Sequence, residues 1–147
     1  MKSFCCALFA LLLLPGGCDR YPRDTEATLD RVRGGTIRVA TVAGERPNPR
    51  MSEFLALLAA RTGSHPQLAS GAAEPLLLEL ERGDLDLVVG TFDRKSPWAH
   101  RVTFSRPIAR VVRADAVEEL KAATRNGEHA WAIEVDRTVA AMPGVPT

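Results

Sequence analysis

The chain has 147 residues, and its 19 lysines and arginines are nearly balanced by 18 aspartates and glutamates. This length suits one domain with one core, and a neutral balance without a basic run argues against nucleic acid as a partner. The three histidines are isolated and no cysteine pair has zinc-site spacing, so we predict no metal site. The chain also has no G-x-S-x-G motif and no glycine-rich phosphate loop, so we predict no enzyme and no cofactor.

Residues 1–17 have the layout of a secretory signal peptide. Lys2 precedes an apolar block that runs from Phe4 to Leu14, and small residues follow it. The block is shorter than the roughly 20 apolar residues that a membrane-spanning helix needs. We therefore predict an exported protein with a cleaved signal; the alternative interpretation is an uncleaved anchor helix.

The segment "LPGGC" (14–18) resembles a bacterial lipobox, in which the cysteine becomes the lipidated first residue of the mature protein. Cys5 and Cys6 fall inside the predicted signal, so Cys18 is left alone and no internal disulfide is possible. The resemblance implies a lipid anchor at Cys18 and a location on the outer face of the plasma membrane or in the periplasm. Plain secretion is the alternative.

The middle of the chain alternates between strand-like and helix-like segments. Residues 18–27 are predicted to be a lipidated tether, 28–142 one lobe and 143–147 a tail. Within the lobe we predict helix 28–35, strand 36–42, loop 43–50, helix 51–62, a weak strand 65–70, helix 73–82, a buried strand 85–89 and loop 91–100.

This alternation predicts an α/β fold with a mainly parallel sheet and flanking helices. Ligands of open α/β sheets bind beyond the carboxyl ends of the strands. The loops at 43–50 and 91–100 follow two of the predicted strands, so we expect the binding site there.

The last third is predicted to contain a strand and two helices. "RPIARVVRAD" (106–115) has strand-like alternation, and "AVEELKAATRNG" (116–127) is rich in helix-forming residues. A second helix is expected at 128–141. Its predicted buried residues are Trp131, Ile133, Val135 and Val139.

Two blocks, "LLLELERGDLDLVVGTF" (76–92) and "SPWAHRVTFSRP" (96–107), together resemble the first lobe of the family 3 solute-binding proteins of ABC importers. The segment "TLDRVRGGTIRVATV" (28–42) is similar to that family's opening helix and first strand. The resemblance implies a single lobe of a periplasmic-binding-protein-like fold, a ligand such as an amino acid or a similar small polar solute, and an ABC permease as partner.

Two departures from the family are visible in the residues. Members have two lobes, whereas the matching segments here account for one. Amino-acid-binding members carry a carboxylate-clamping arginine six positions before the phenylalanine of "F-S-x-P", and Trp98 stands at that position. An indole N–H cannot make the bidentate contact of a guanidinium, so Arg94 or Arg101 could replace the clamp only through a rearranged loop.

Each candidate ligand-binding residue has a structural alternative. The resemblance places Thr91 and Asp93 among ligand-contacting residues, although an ordinary loop would use them for its own backbone. Arg94 and Lys95 could attract an anionic solute or form a solvated, charged turn. Trp98 could form a stacking wall or a core plug.

Three further residues near the same strand are predicted to be structural. Asp84 and Asp86 resemble a general acid–base pair, but they precede the buried run, and a solvated start of the strand is the preferred interpretation. Phe104 is predicted to be buried.

Two functions follow from the sequence. The first is a membrane-tethered solute-binding module of an ABC importer, with weak affinity because one lobe supplies one wall of a cleft. The second is a non-binding lipoprotein that keeps the lobe as a protein-interaction or structural domain, with an apolar patch where the cleft would lie.

Overall fold

A computed structural model describes residues 23–44, 48–113 and 116–144. The predicted signal peptide, Cys18 and the last three residues lie outside these ranges. The elements are α1 (Thr28–Val32), β1 (Thr36–Val42), α2 (Pro49–Thr62), β2 (His65–Gly71), α3 (Ala73–Arg82), β3 (Leu87–Phe92), a short 3-10 helix (Pro97–His100), β4 (Val102–Phe104), β5 (Ala109–Arg113), β6 (Ala116–Arg125) and α4 (His129–Ala140). Among the described residues, none of the helices has the length and apolar character needed to cross a membrane.

The strands form one six-stranded sheet in the order β2-β1-β3-β6, with β4 and β5 one after the other along the outer edge of β6. The neighbours β2, β1 and β3 are parallel, and β6 runs against them. Since β4 and β5 are antiparallel to β6, five of the six strands point the same way. The predicted α/β fold with a mainly parallel sheet and flanking helices is confirmed.

Helices cover both faces of the sheet. Alternate residues of a strand point to opposite faces, so Val39, Leu87 and Leu120 pack towards one side, and Ala40, Val88 and Ala123 towards the other. Apolar residues of α1, α2 and α4 cover the first face. The second face is covered by three leucines of α3, namely Leu76, Leu77 and Leu80.

The prediction of a helix at 116–127 is wrong, because residues 116–125 form the long strand β6. Alanine, glutamate, leucine and lysine favour a helix intrinsically, but here β6 pairs with β3 on one side and with β4 and β5 on the other. This pairing satisfies the backbone of β6 on both edges, and it buries Leu120 and Ala122 on one face and Ala123 on the other. Tertiary pairing therefore overrides the local preference.

Smaller differences concern boundaries and burial. The first helix ends at Val32 and the strand predicted over 106–115 is shorter. Trp131, Val135 and Val139 of α4 are buried as predicted, but Ile133 is half-buried. Phe104, predicted to be buried, is half-buried as well because it lies on the edge strand β4.

The start of α1 is held by two carboxylates. Asp24 accepts hydrogen bonds from the backbone N–H groups of Leu29 (2.7 Å) and Trp131 (3.0 Å). Glu128, which is 2% exposed, accepts from the N–H groups of Glu26 (2.8 Å) and Thr28 (3.1 Å). The unpaired amides of a helix start are thereby satisfied, and Asp24, inside the predicted tether, is in contact with the lobe.

The prediction of a solvated start of the strand is wrong for Asp86, which is buried. Asp84 is exposed and forms an ion pair with Arg82. The side chain of Asp86 is 1% exposed. It accepts hydrogen bonds from the guanidinium groups of Arg31 and Arg38, each with a shortest distance of 2.6 Å. Its backbone carbonyl accepts from the indole of Trp131 (2.8 Å). Asp86 therefore connects α1, β1 and α4 to the start of β3.

Burial alone would raise the pKa of Asp86, but hydrogen bonds from Arg38 and Arg31 outweigh it and hold this pKa below its usual value. We expect Asp86→Asn to lower the free energy of unfolding at pH 7 by about 2–3 kcal/mol, because two arginines lose their shared counter-ion but stay partly solvated. Urea unfolding checks this value.

Because the folded-state pKa is depressed, the stabilisation by Asp86 is fully present above its unfolded value, near pH 4, and is lost as pH falls through the folded pKa. Below about pH 4, the free energy of unfolding of Asp86→Asn should therefore fall less steeply with decreasing pH than that of the wild type. Asp84→Asn is the control and should change stability by less than about 0.5 kcal/mol. Equal effects of the two variants would contradict the proposed importance of Asp86.

Candidate functional site

The carboxyl ends of β1, β2 and β3 lie at one edge of the sheet because the three strands are parallel. The loop after β3 begins at Asp93 and leads into the short 3-10 helix Pro97–His100. This is the predicted region for ligand binding, except that residues 91 and 92 belong to β3.

Thr91 and Asp93 lie at and just beyond the end of β3. Thr91 is half-buried and pairs with Leu120 of β6. Asp93 is exposed, and its carboxylate accepts a hydrogen bond from the backbone N–H of Lys95 at 2.6 Å. One oxygen of Asp93 thus stabilises its own turn, as the structural alternative predicts.

Trp98 lies on the short 3-10 helix and is half-buried against the core under α3. The guanidinium of Arg101 stacks over its ring at 4.7 Å from the centroid, and Arg101 also pairs with Glu81 of α3. These contacts favour a plug that fastens the loop to α3 over a ligand-facing wall. They also occupy Arg101, one of the two residues that could have replaced the carboxylate clamp.

Arg94 reaches a buried ion pair on β6. Its Nε atom lies 3.4 Å from Oε1 of Glu119, and the Arg94 side chain is 71% exposed. The other carboxylate oxygen of Glu119 lies 2.6 Å from Nζ of Lys121. The side chains of Glu119 and Lys121 are only 8% and 11% exposed. Two cations therefore share one buried carboxylate next to the loop.

Glu119 and Lys121 are not among the predicted site residues, because the sequence predicts a helix over 116–127. In β6 they are two residues apart and point to the same face of the sheet. Arg110 of β5 is directly opposite Glu119 in the strand register, so its side chain lies on that face as well. Polar and apolar residues alternate only over 119–122 ("ELKA"), so the sequence carries only a short strand signal at this cluster.

A groove of about 640 Å³ connects this cluster with the break between β4 and β5. Its lining residues are Arg94, Ser105, Arg106, Pro107, Arg110, Glu119, Lys121 and Asp136. Four of these side chains are cationic and two are anionic, so the groove has a net positive charge. We refer to it as the basic groove.

Arg106 and Asp136 form a pair at the far end of the basic groove. Asp136 of α4 accepts hydrogen bonds from the backbone N–H and the guanidinium of Arg106, at 2.8 Å and 2.7 Å. Partial burial would raise the pKa of Asp136, but the hydrogen bonds from Arg106 keep this pKa below its usual value. This end of the groove is therefore electrically neutral and fastens the chain before β5 to α4.

A smaller cavity of about 230 Å³ lies at the opposite edge of the sheet, around Arg31, Arg38, Asp86 and Glu128. Every buried side-chain nitrogen and oxygen in the described part of the chain has a hydrogen-bond partner. The charged groups of this cavity are used by the fold. Within the same residues, histidines, cysteines and carboxylates form no group that could hold a metal ion.

The fold matches solved structures of amino-acid-binding domains. The arginine-bound form of domain 1 from TmArgBP aligns with a TM-score of 0.66 at 14% identity, over 77% of this chain and 98% of that one. The ancestral cationic amino acid solute-binding protein AncCDT-1 aligns with a TM-score of 0.66 at 14% identity, over 78% of this chain and 93% of that one. At such identities these likenesses establish the fold of a single periplasmic-binding-protein-like lobe.

A third solved structure is the substrate-binding protein of an amino acid ABC transporter from Streptococcus pneumoniae, bound to L-arginine. It aligns with a TM-score of 0.63 at 12% identity, over 77% of this chain and 90% of that one. No family model matches the chain, and no curated protein matches it.

The burial of Glu119 and Lys121 predicts a strong coupling between them. In a double-mutant cycle with Glu119→Gln and Lys121→Met, we expect a coupling free energy of about 1–2 kcal/mol, because each single change leaves a poorly hydrated charge without its partner. Urea unfolding at pH 7 measures it. The more exposed pair Arg50–Glu53 of α2 is the control, with an expected coupling below about 0.5 kcal/mol. Similar couplings for the two pairs would contradict the prediction.

Proposed function

We propose that this protein is an extracytoplasmic solute-binding lobe of an ABC importer, with an amino acid or a similar small polar solute as ligand. The observation that carries the proposal is that the positively charged groove lies at the end of the sheet where this type of fold binds ligands. The lobe has the architecture of amino-acid-binding domains, and its basic groove begins beside the carboxyl end of β3, where open α/β sheets bind ligands. The proposed role is binding and delivery rather than catalysis.

A single lobe is sufficient for binding in at least one similar structure. Domain 1 from TmArgBP is described in an arginine-bound form, and the present chain covers 98% of it. One open wall buries less of a ligand than the 70–90% that is usual in closed sites. We therefore expect a dissociation constant of tens of micromolar or weaker, on the order of −6 kcal/mol.

The proposed ligand-binding residues combine the loop after β3 with the basic groove. Thr91, Asp93 and Arg94 lie nearest the end of β3, and Trp98 contributes by holding the loop against α3. Asp93 has one carboxylate oxygen engaged in its own turn, and its exposure leaves the other available for a ligand. Arg94 is the predicted residue that contacts the groove directly.

We further propose that the lobe is tethered to the outer face of the plasma membrane through a lipid on Cys18. The support is in the sequence: a signal-like segment over 1–17 is followed by the lipobox-like "LPGGC". A tether would keep a weak binder close to its permease and raise its effective concentration there.

One observation favours the second candidate function, a protein-interaction domain. Val112 of β5 and Val117 of β6 are directly opposite each other in the strand register, and they are 80% and 49% exposed. A second copy of this chain is the partner we consider, because two copies paired through this end of the sheet would cover both valine pairs and supply the opposite wall of the groove.

Thermal melts of the purified protein distinguish the two functions. A solute that binds the native state, present at about one hundred times its dissociation constant, stabilises it by about 2.7 kcal/mol and should raise the Tm by several degrees. We expect one class of small polar solute to give this shift. A panel of amino acids, organic acids and oligopeptides provides the comparison.

The protein-interaction function predicts a different result in the same experiment. No solute would move the melt, and the Tm would instead rise with protein concentration because association stabilises the folded state. A melt that is insensitive to every solute contradicts the solute-binding proposal.

The lipid anchor is tested by Cys18→Ser. We expect the wild-type protein in the membrane fraction of a bacterial host, labelled by radioactive palmitate, and the variant unlabelled, because the thiol is the acylation site. Cys6→Ser is the matched control and should leave labelling unchanged. Labelling that persists in Cys18→Ser, or its absence from the wild type, contradicts the proposal.

A further inference from the structure

The charges of the basic groove are not matched within the described part of the molecule. Glu119 is shared by Lys121 and Arg94, while Arg106 and Asp136 neutralise each other. One carboxylate therefore faces two cations at the end of the groove that lies beside β3.

Arg110 adds a third cation to this end. It is exposed and directly opposite Glu119 in the pairing of β5 with β6. No hydrogen bond or ion pair joins its guanidinium to another side chain among the described residues. Because Glu119 already contacts Lys121 and Arg94, Arg110 is the donor with unused hydrogen-bonding capacity.

We infer that the basic groove binds the anionic group of a small solute, a carboxylate or phosphate, through Arg94, Arg110 and Lys121. The inference deepens the proposed solute-binding function and rests on it. It assigns this chain a ligand class opposite in charge to the arginine of the neighbouring structures.

The chemistry of these three side chains suits an anion. A guanidinium presents donors in a planar fork that matches a carboxylate or a phosphate bidentately. Lys121 supplies a charge held in place by burial and by its contact with Glu119. Because its side chain is only 11% exposed, its field is screened less by water and salt than that of a surface lysine.

A cationic solute meets the reverse situation. L-arginine carries one α-carboxylate but has a net positive charge, so its guanidinium would be repelled by the three cations of the groove, whose one nearby carboxylate is already shared. Such an arrangement costs free energy through like-charge repulsion, whereas an anion relieves the repulsion between Arg94, Arg110 and Lys121.

Isothermal titration with four probes tests the inference: L-glutamate, succinate, inorganic phosphate and L-arginine. We expect at least one anion to bind and L-arginine to bind at least tenfold more weakly. Binding of the anion should weaken as sodium chloride is raised, because part of the contact is exposed to screening. Binding by L-glutamate or succinate identifies a carboxylate solute, and binding by phosphate alone identifies a phosphorylated one.

Arg110→Gln is the informative variant because Arg110 takes part in none of the ion pairs seen among the described residues. We expect it to weaken anion binding about tenfold while the thermal melt without ligand stays unchanged, and Arg110→Lys to restore part of the affinity. Arg82→Gln is the matched control, since Arg82 is an exposed arginine at the opposite edge of the sheet. It should bind the anion like the wild type.

The possible failures are distinguishable. Preferential binding of L-arginine, or anion binding that Arg110→Gln leaves unchanged, overturns the inference and leaves the proposed solute-binding function standing. The absence of binding by all four probes overturns the inference. If the wider solute panel also leaves the thermal melt unmoved, the proposed function fails with it.

Discussion

One buried carboxylate, that of Asp86, connects four elements of the fold. Asp86 precedes β3 at the amino edge of the sheet, and its two oxygens accept hydrogen bonds from Arg31 and Arg38. Its carbonyl binds the indole of the fully buried Trp131. A carboxylate can be buried only if such partners compensate for lost hydration. α1, β1, β3 and α4 therefore pack against one another around this residue.

A second constraint comes from β6, which runs antiparallel to the other five described strands. It pairs with β3 on one side and with the interrupted edge formed by β4 and β5 on the other. Ser105 bridges the interruption, since its hydroxyl accepts a hydrogen bond from the N–H of Ala122 at 3.1 Å. The break brings Arg106 and Pro107 into the wall of the basic groove. The same strand thus completes the core and presents Glu119 and Lys121.

The charged residues at the two edges of the sheet differ in how they are paired. At the amino edge the carboxylates of Asp86 and Glu128 are buried and hydrogen-bonded, so they specify the packing of α1 and α4. At the other edge, cations exceed carboxylates in the basic groove, and Arg110 is exposed. Excess charge at a surface is stabilised by water and salt and costs the fold little, so it is available for a ligand.

The sequence by itself determined most of the α/β architecture. The apolar run in "GDLDLVVGTF" predicts β3, which is buried on both faces. The glycines at positions 63 and 83 end α2 and α3 in the left-handed conformation, which glycine adopts at low cost. These features are local. Hydrophobic period and turn chemistry act within a few residues, so a strand–helix alternation can be recognised without knowing what each element packs against.

The tertiary structure alone decided the identity of β6 and, with it, the composition of the candidate site. Residues 116–125 have helical propensity, and only their pairing with three other strands makes them a strand. The same is true of Asp86, which the sequence places beside the exposed Asp84 and the fold surrounds with arginines. Although β5 adjoins β6 in the chain, β3 lies about 30 residues from β6, and Arg31 lies 55 residues from Asp86. A local pattern has no information about such partners.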